Sequence, residues 1–349
     1  MWSTVTTLVK GESMRVVRVR GTGTDRYGRT LLRRSLAGLA LALTLPLAAA
    51  VGGGGATAQA GFNPAGHDFW VDSSMGPIKT RIFRALDGNT QRVVYALDGL
   101  RARNDLSGWE IDTEISRVLP MWNINVVMRI GGQSSFYSDW LETSNTNGQT
   151  VRYEWETFLT RDLRNAMAAR LGFNPRGNGV LGLSMGGSAA LVLAAYHPEQ
   201  FRYAASYSGY LNVSAPGMRE ALRVAMLDTG GYNIDAMWGP PWSELWLRND
   251  PFVFAERLRA NGTRLWIASG NGQPGPRDQV RSPMDLYNLT NAAGLETVAL
   301  ANTRAFQARM ESFGPCNAVF DYTPDGVHSW HYWQDQVFKM LPDMSANIG

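Results

Sequence analysis

Six short apolar runs, separated by stretches with helical spacing, most constrain how this chain of 349 residues can fold. Most runs are nearly continuous in aliphatic and aromatic residues, which is typical of strands buried on both faces of a parallel sheet. Strands that alternate with helices indicate βαβ units and a doubly wound α/β sheet. The runs occupy residues 92–97, 123–130, 179–182, 202–207, 263–269 and 317–322.

Helical patterns lie between these runs. Residues 155–171 place large apolar side chains down one side, and shorter helices are predicted at 187–196 and 329–340. Residues 212–250 are rich in Gly, Pro and Trp. We expect them to form an insertion over the edge of the sheet, where lids and substrate sites are often found.

The first 60 residues are predicted to be a secretory signal peptide, so one folded domain is expected over residues 61–349. A basic region precedes an apolar run at 36–51, and a small-residue cleavage pattern ends at Ala60. The apolar run is short and interrupted by a proline, which argues against a membrane anchor. Met14 is an alternative start, because the basic region remains complete from there.

Charge and cysteine content argue against a nucleic-acid-binding protein and against a fold held by disulfides. The leader carries eight basic and two acidic residues, a net charge of +6, whereas the whole chain carries +3, which leaves −3 for residues 61–349. No basic stripe is present there, so a nucleic-acid partner is disfavoured. Cys316 is the single cysteine, so stability must come from the core without an internal disulfide. No metal or nucleotide motif is present, and we expect no metal or other cofactor.

The strongest chemical signal is the segment Gly182-Leu183-Ser184-Met185-Gly186. It follows an apolar run and precedes a helical stretch, which is the strand–turn–helix context of a G-x-S-x-G nucleophile elbow. The glycines allow a tight turn that lifts the serine hydroxyl above the sheet. The helix N-terminus behind it favours developing negative charge. Ser184 is therefore the predicted nucleophile.

A serine nucleophile needs a base, and four histidines follow the leader. His328 follows the last predicted strand, where the chain order Ser…acid…His places the base. His331, one helical turn further on, is the alternative. His197 is expected to cap the end of the elbow helix. His67 lies upstream of every predicted strand.

The acid cannot be chosen from the residues alone. Chain order favours an acid after residues 263–269, which leaves Asp278, Asp285 and Glu296 open. Glu311, Asp321 and Asp325 also lie between the serine and the histidine.

An oxyanion hole needs two backbone amides. The residue after the nucleophile, Met185, supplies one, and Leu100 in the turn after the first predicted strand is the natural source of the second. Asp98 and Arg101 would then flank the site with one charge of each sign. A surface salt bridge at the strand end is the alternative explanation for this pair.

With these residues in place, the chain resembles the mycolyltransferases of the antigen 85 type, secreted serine acyltransferases with the α/β-hydrolase fold. The similarity extends over nearly all of residues 61–349. Long identical stretches such as GGQSSFYSDW at 131–140 are far more specific than the elbow alone. Other matching segments lie at 97–101, 155–160, 182–185, 194–201, 248–251 and 328–330.

The resemblance implies that Glu296, 32 residues before His328, is the acid of the triad. It likewise implies that the amides of Leu100 and Met185 form the oxyanion hole. Asn212 stands where the family has an aspartate. The residues implied around the sugar of the substrate are Asp98, Arg101, Asn212, Ser329 and Trp330.

The resemblance also implies a function. A mycolyl group, which is a long-chain acyl group, would move through a serine acyl-enzyme between trehalose glycolipids or onto cell-wall arabinogalactan. The protein would be secreted to the cell envelope, in contact with envelope lipid and without an obligate protein partner. Two other functions fit the sequence: a secreted carboxylesterase with the same triad, and a non-catalytic envelope or matrix-binding relative. The presence of all three triad residues disfavours the last.

Overall fold

The sheet that the apolar runs predict is present in the computed structural model, which describes residues 61–349. The predicted signal peptide lies outside the described residues and stays a prediction. Within the described part, eight strands form one sheet in the order β1-β2-β4-β3-β5-β6-β7-β8. The strands are β1 (His67–Val71), β2 (Ile78–Phe83), β3 (Val93–Leu97), β4 (Asn125–Arg129), β5 (Asn178–Leu183), β6 (Phe201–Tyr207), β7 (Arg264–Ser269) and β8 (Ala318–Tyr322).

All six predicted strands are confirmed, as β3 to β8, and every neighbouring pair among them is parallel. The sequence missed β1 and β2, which pair antiparallel at one edge. β1 is half exposed, and β2 carries the buried Arg81 between apolar residues, so neither reads as an apolar run. His67, which precedes every predicted strand, is the first residue of β1, a strand that was not predicted.

Helices cover both faces of the sheet. The predicted helix at 155–171 is divided by a π-helical turn at Phe158–Asp162, and the long helix α10 was not predicted. The helices are α1 (Gly108–Ile111), α2 (Ile115–Met121), α3 (Trp155–Thr157), α4 (Leu163–Leu171), α5 (Met185–Tyr196), α6 (Met218–Gly230), α7 (Ile234–Trp238), α8 (Glu244–Arg248), α9 (Pro251–Ala260), α10 (Pro283–Glu311) and α11 (Trp330–Asn347).

The core consists of two apolar layers, one on each face of the sheet. Successive strand residues point to opposite faces, so Tyr95 and Val180 pack with α5, α9 and α10, whereas Val94 and Leu181 pack with α2 and α11. Burial on both faces explains why these strands are nearly continuous in apolar residues.

The carboxyl ends of four parallel strands meet at one edge of the sheet. Leu97 lies beside Gly182, and Leu183 lies beside Tyr207, in register with Ala268 near the end of β7. The loops after β3, β5, β6 and β7 therefore converge, and in open α/β sheets this edge is where ligands bind. Among residues 61–349, no helix is both long enough and apolar enough to span a membrane.

Candidate active site

The predicted elbow is a strained turn between β5 and α5. Ser184 has φ +52° and ψ −122°, a backbone conformation that non-glycine residues rarely adopt. A Cβ on Gly182 would lie 2.2 Å from the carbonyl oxygen of Gly186, and a Cβ on Gly186 would lie 2.5 Å from that of Asp98. Both positions therefore require glycine. The turn places the side chain of Ser184 at the carboxyl edge of the sheet.

His328 and Glu296 form a buried pair at the same edge. His328 Nδ1 lies 2.9 Å from Glu296 Oε2, and the two side chains are 7% and 1% exposed. His328 sits in the loop before α11, as predicted, whereas Glu296 projects from the middle of α10. A carboxylate at Nδ1 holds the proton on that nitrogen, which leaves Nε2 as the acceptor for a serine proton.

The second oxygen of Glu296 accepts three hydrogen bonds. Its donors are Ser208 Oγ at 2.7 Å, Ser269 Oγ at 2.9 Å and the amide of Gly270 at 2.6 Å. Burial by itself would raise the pKa of Glu296. The hydrogen bond and charge of His328, with the two serine bonds, outweigh burial and lower that pKa below its ordinary value. The carboxylate is therefore ionised at neutral pH.

Two aromatic rings enclose the imidazole of His328. Tyr210 stacks on it with ring centroids 6.2 Å apart, and Trp333 meets it edge-on at 4.9 Å. Burial and the charge of Glu296 raise the pKa of Tyr210, and its interaction with the Ser184 side chain partly offsets them, so Tyr210 is a neighbour of both Ser184 and His328. Among the described residues no hydrogen bond joins Ser184 Oγ to His328, a contact that often forms only when substrate is bound.

The turn that carries Leu100 packs against the elbow that carries Met185. Met185 is the first residue of α5, where an amide has no acceptor within its own helix. Leu100 lies in the turn after β3, closed by a bond from the amide of Ala102 to the carbonyl of Gly99. A Cβ on Gly99 would lie 3.5 Å from Ser184 Cβ, so this turn packs directly against the elbow.

Asp98 and Arg101 have separate partners. Asp98 is only 2% exposed, and its carboxylate binds Arg129 Nη1 at 2.9 Å and Ser107 Oγ at 3.0 Å. Arg101 binds Asp228 on α6 at 2.6 Å. The suggested salt bridge at the strand end is thus replaced by two ion pairs, of which the Asp98 pair is buried and anchors the turn that carries Leu100.

The other residues implied around a sugar are half-buried. Trp330 packs edge-on against Trp109 and Trp333, next to the loop that carries His328. Ser329 directly precedes it and follows His328. The backbone amide of Asn212 donates to Asn302 Oδ1 on α10 at 3.0 Å.

The tryptophans of the predicted insertion do not share one environment. Trp238 and Trp246 are buried core residues, whereas Trp242 is 82% exposed. The insertion itself is largely helical, since it contains α6, α7 and α8.

The alternative acids and bases lie elsewhere. Asp278 accepts from the hydroxyl of Tyr332 and Asp285 accepts from the amide of Arg281, so neither occupies the place beside His328 that Glu296 fills. His197 ends α5, as predicted, and its Nε2 lies 2.7 Å from Glu156. His331 is half-buried at the start of α11.

Sequence reasoning did not identify the residues that contact His328 and Glu296. Ser208 and Ser269 stand at the ends of the adjacent strands β6 and β7, so a search for hydroxyl residues at strand ends would have found them. Tyr210 and Trp333 carry no local signal, because only the fold brings their rings to His328.

The chain is similar to known esterases and acyltransferases. The family model described as a putative esterase matches residues 77–344. The diacylglycerol acyltransferase/mycolyltransferase Ag85C of Mycobacterium leprae is 44% identical over 257 residues, 74% of this chain and 75% of that protein. The Ag85B enzyme of Mycolicibacterium smegmatis is 40% identical over 323 residues, 91% of this chain and 96% of that protein.

Solved structures share the fold. The crystal structure of Mycobacterium tuberculosis MPT51 (FbpC1) superposes with a TM-score of 0.71 at 30% identity, covering 82% of this chain and all of that one. An S-formylglutathione hydrolase from Agrobacterium tumefaciens aligns with a TM-score of 0.55 at 15% identity, over 82% of this chain and 96% of that one. The second similarity shows the serine-hydrolase fold alone.

Proposed function

The chain belongs to the antigen 85-type mycolyltransferases, within the esterase family, and we propose that Ser184, His328 and Glu296 are the triad of its acyl transfer. One observation carries the assignment: the buried hydrogen bond of 2.9 Å between His328 and Glu296, at the edge where the Ser184 elbow lies. A non-catalytic relative would have no need to keep a carboxylate buried against an imidazole.

In the first half-reaction, Ser184 Oγ attacks the ester carbonyl of a mycolyl donor while His328 Nε2 takes its proton. The carboxylate of Glu296 stabilises the imidazolium that forms. The amides of Leu100 and Met185 hold the oxyanion, each contributing roughly 3 kcal/mol. The ester C–O bond then breaks, and His328 returns the proton to the departing sugar oxygen.

In the second half-reaction, the hydroxyl of an acceptor gives its proton to His328 Nε2 and attacks the carbonyl carbon of the acyl-enzyme. The bond between that carbon and Ser184 Oγ then breaks, and His328 returns the proton to Ser184. We take trehalose glycolipids as the donor, and a second glycolipid or cell-wall arabinogalactan as the acceptor. Arg101, Asn212, Ser329 and Trp330 would line the sugar site. Asp98, whose oxygens are bonded to Arg129 and Ser107, would act by holding the turn that carries Leu100.

Export to the cell envelope completes the proposal, with residues 1–60 as a signal peptide and residues 61–349 as the catalytic domain. The described chain is anchored close to the predicted cleavage point. The amide of Asn63 donates to Glu110 Oε1 at 3.1 Å, and its carbonyl accepts from Arg81 Nη2 at 2.7 Å. These two bonds, two residues after Gly61, support a catalytic domain that includes the chain from Gly61 onward.

A secreted carboxylesterase is the second candidate, favoured by the esterase family model. The two activities share a nucleophile and differ in whether an alcohol or water attacks the acyl-enzyme. Incubating the purified protein with a trehalose monoester separates them. Diester formation supports the transferase, whereas release of free acid without diester supports the esterase.

The triad assignment is tested by intact mass after incubation with an acyl donor or a serine-directed phosphonate. We expect one adduct on the wild-type protein and none on Ser184→Ala, with kcat reduced by about 10⁴-fold or more. Ser312→Ala, at the end of α10 and away from the elbow, is the matched control and should be labelled normally. An adduct on Ser184→Ala would remove Ser184 from its role.

A further inference from the structure

Two buried arginines lie on neighbouring strands of the sheet, and they use their donors differently. Arg81 on β2 is 3% exposed and donates from all three nitrogens of its guanidinium, to Glu110, to Asp68 and to two backbone carbonyls. Arg129 on β4 is 1% exposed, and its Nη1 donates to Asp98 Oδ2 at 2.9 Å. Its Nε and Nη2 are buried without a hydrogen-bond partner among the described residues.

This difference argues that Arg129 does more than stabilise the fold. A buried donor without a partner costs free energy, so an arginine that serves only the fold is expected to resemble Arg81. A buried ion pair adds little stability, because the desolvation of both charges offsets their attraction. The centroid of the Tyr137 ring lies 4.1 Å from Arg129 Cζ and recovers part of that cost. The placement of Arg129 therefore points to its one anionic partner, Asp98.

Asp98 stands where the charge of a carboxylate affects the proposed reaction. It lies two residues before Leu100, and its side chain is buried. A Cβ on Gly186 would lie 2.5 Å from the carbonyl oxygen of Asp98, so this residue packs against the start of α5, beside Met185. A carboxylate fixed here without a cation would oppose the negative charge that develops at the amides of Leu100 and Met185.

We propose that Arg129 is a positioning residue for acyl transfer, which neutralises Asp98 so that this carboxylate holds the oxyanion turn without opposing the oxyanion. The inference rests on the proposed function. Burial lowers the pKa of Arg129, and the charge and hydrogen bond of Asp98 oppose that shift. A guanidinium stays charged under these conditions, because its ordinary pKa is far above neutral pH. Arg129 thus acts through Asp98 and not on the substrate.

This role differs in its consequences from a direct contact between Asp98 and a sugar. A charge next to the oxyanion turn affects every ester, because each forms an oxyanion at the same two amides. A sugar contact affects only the steps in which a sugar alcohol leaves or attacks. Loss of the Arg129 charge should therefore slow acylation by a p-nitrophenyl ester, which carries no sugar. The ratio of transfer to trehalose over hydrolysis should stay unchanged, because both alcohol and water attack through the same oxyanion.

The test compares Arg129→Met, Arg129→Lys and the double variant Asp98→Asn/Arg129→Met in burst kinetics with a p-nitrophenyl ester. Arg129→Met should lower the acylation rate constant roughly 10- to 100-fold, less than the loss of an oxyanion donor, with KM within about twofold of wild type. Arg129→Lys keeps the charge and should stay within roughly fivefold of wild type. The double variant should regain most of the loss, because it leaves no unpaired charge near the turn and keeps an oxygen that can accept from Ser107.

Arg81→Met is the matched control. It removes a buried arginine from an ion pair on the other face of the sheet, where Arg81 packs on Phe83. Its melting temperature should fall, whereas the acylation rate of the folded protein should stay within about twofold of wild type. A folded Arg129→Met protein that acylates like wild type, or a double variant no faster than Arg129→Met, would overturn the inference alone.

Two further results decide the remaining cases. A lower ratio of transfer to hydrolysis with an unchanged acylation rate in Arg129→Met would assign Asp98 to the sugar and overturn the inference. If Arg129→Met does not fold, the double variant and Arg129→Lys decide, and a loss of more than about 100-fold in either would overturn it. Absence of a burst in the wild-type protein would overturn the proposed function, and this inference with it.

Discussion

At the scale of single residues, Glu296 shows how a buried charge reveals function. α10 turns one face toward the core, and that face carries Ala292, Glu296, Ala299, Thr303 and Phe306, at alternating spacings of four and three residues. A carboxylate is costly in such a stripe unless it is paired and hydrogen-bonded. Glu296 meets that condition through four donors, counting His328.

Replacing this carboxylate should affect both activity and pH-dependent stability. Glu296→Gln keeps the shape but loses the charge that fixes the histidine tautomer, so kcat should fall by about 10⁴-fold. Because folding lowers the pKa of Glu296, the ionised group stabilises the protein above the pKa of an unfolded glutamate. That contribution is lost as the pH falls through the folded pKa.

Chemical denaturation from pH 7 to pH 3 measures this effect. The difference in unfolding free energy between wild type and Glu296→Gln should be largest at pH 7 and shrink below about pH 4.5. Glu311→Gln, at the exposed end of the same helix, is the control and should show little difference at any pH. If the difference in unfolding free energy between wild type and Glu296→Gln grew as the pH fell, it would contradict a lowered pKa of Glu296.

At the scale of elements, the elbow depends on close approach between backbones. Gly186 lies at the start of α5, so near the turn after β3 that a side chain there would strike the carbonyls of both Leu97 and Asp98. Strand, turn and helix are recognisable from the sequence because the turn itself demands small residues. The turn after β3, which carries Leu100, is packed against the elbow at this point.

Two glycine substitutions separate backbone from side-chain crowding. Gly186→Ala should destabilise the protein by about 3 kcal/mol and lower kcat, because the new methyl group would push against the carbonyls of Leu97 and Asp98, next to the turn that carries Leu100. Gly99→Ala meets the movable methyl of Leu183 at 2.8 Å and should cost only about 1 kcal/mol. Thermal unfolding with ester hydrolysis measures both. Equal losses in the two variants would argue against this account.

At the scale of the whole molecule, the candidate active site is assembled from segments far apart in sequence. The turn after β3, the elbow, the strand ends at Ser208 and Ser269, the middle of α10 and the start of α11 all meet at the carboxyl edge of the sheet. Away from this edge, the backbone of Asn63 is held by Arg81 of β2 and by Glu110 of α1.

The start of the mature protein follows from that anchoring. We expect the exported protein to begin at Gly61, because processing beyond Asn63 would leave the buried pair of Arg81 and Glu110 without two of its bonds. N-terminal sequencing and intact mass measure this directly. Asn63→Ala keeps these backbone bonds but loses the side-chain bonds of Asn63 Nδ2 to Ser116 O and Oγ, at 3.2 and 3.1 Å, so it should lower the melting temperature by a few degrees, roughly the effect of 1–2 kcal/mol. A mature terminus beyond Asn63 would contradict the prediction.

The sequence by itself determined the parts of this protein that depend on neighbouring residues. Continuous apolar runs identified β3 to β8, and the two glycines around Ser184 identified the elbow, because burial and tight turns restrict which residues can stand there. It also placed His328 through chain order. For the acid, the residues alone left Asp278, Asp285 and Glu296 open, and family resemblance was needed to select Glu296.

Only the tertiary structure decided which distant groups meet. The antiparallel strands β1 and β2 were not predicted because their polar residues are satisfied by partners remote in sequence, as Arg81 is by Glu110. The same holds for the bond of Glu296 to His328 and for the buried partner of Asp98. The physical reason is that the cost of burying a polar group depends on its partners, and only the folded chain selects them.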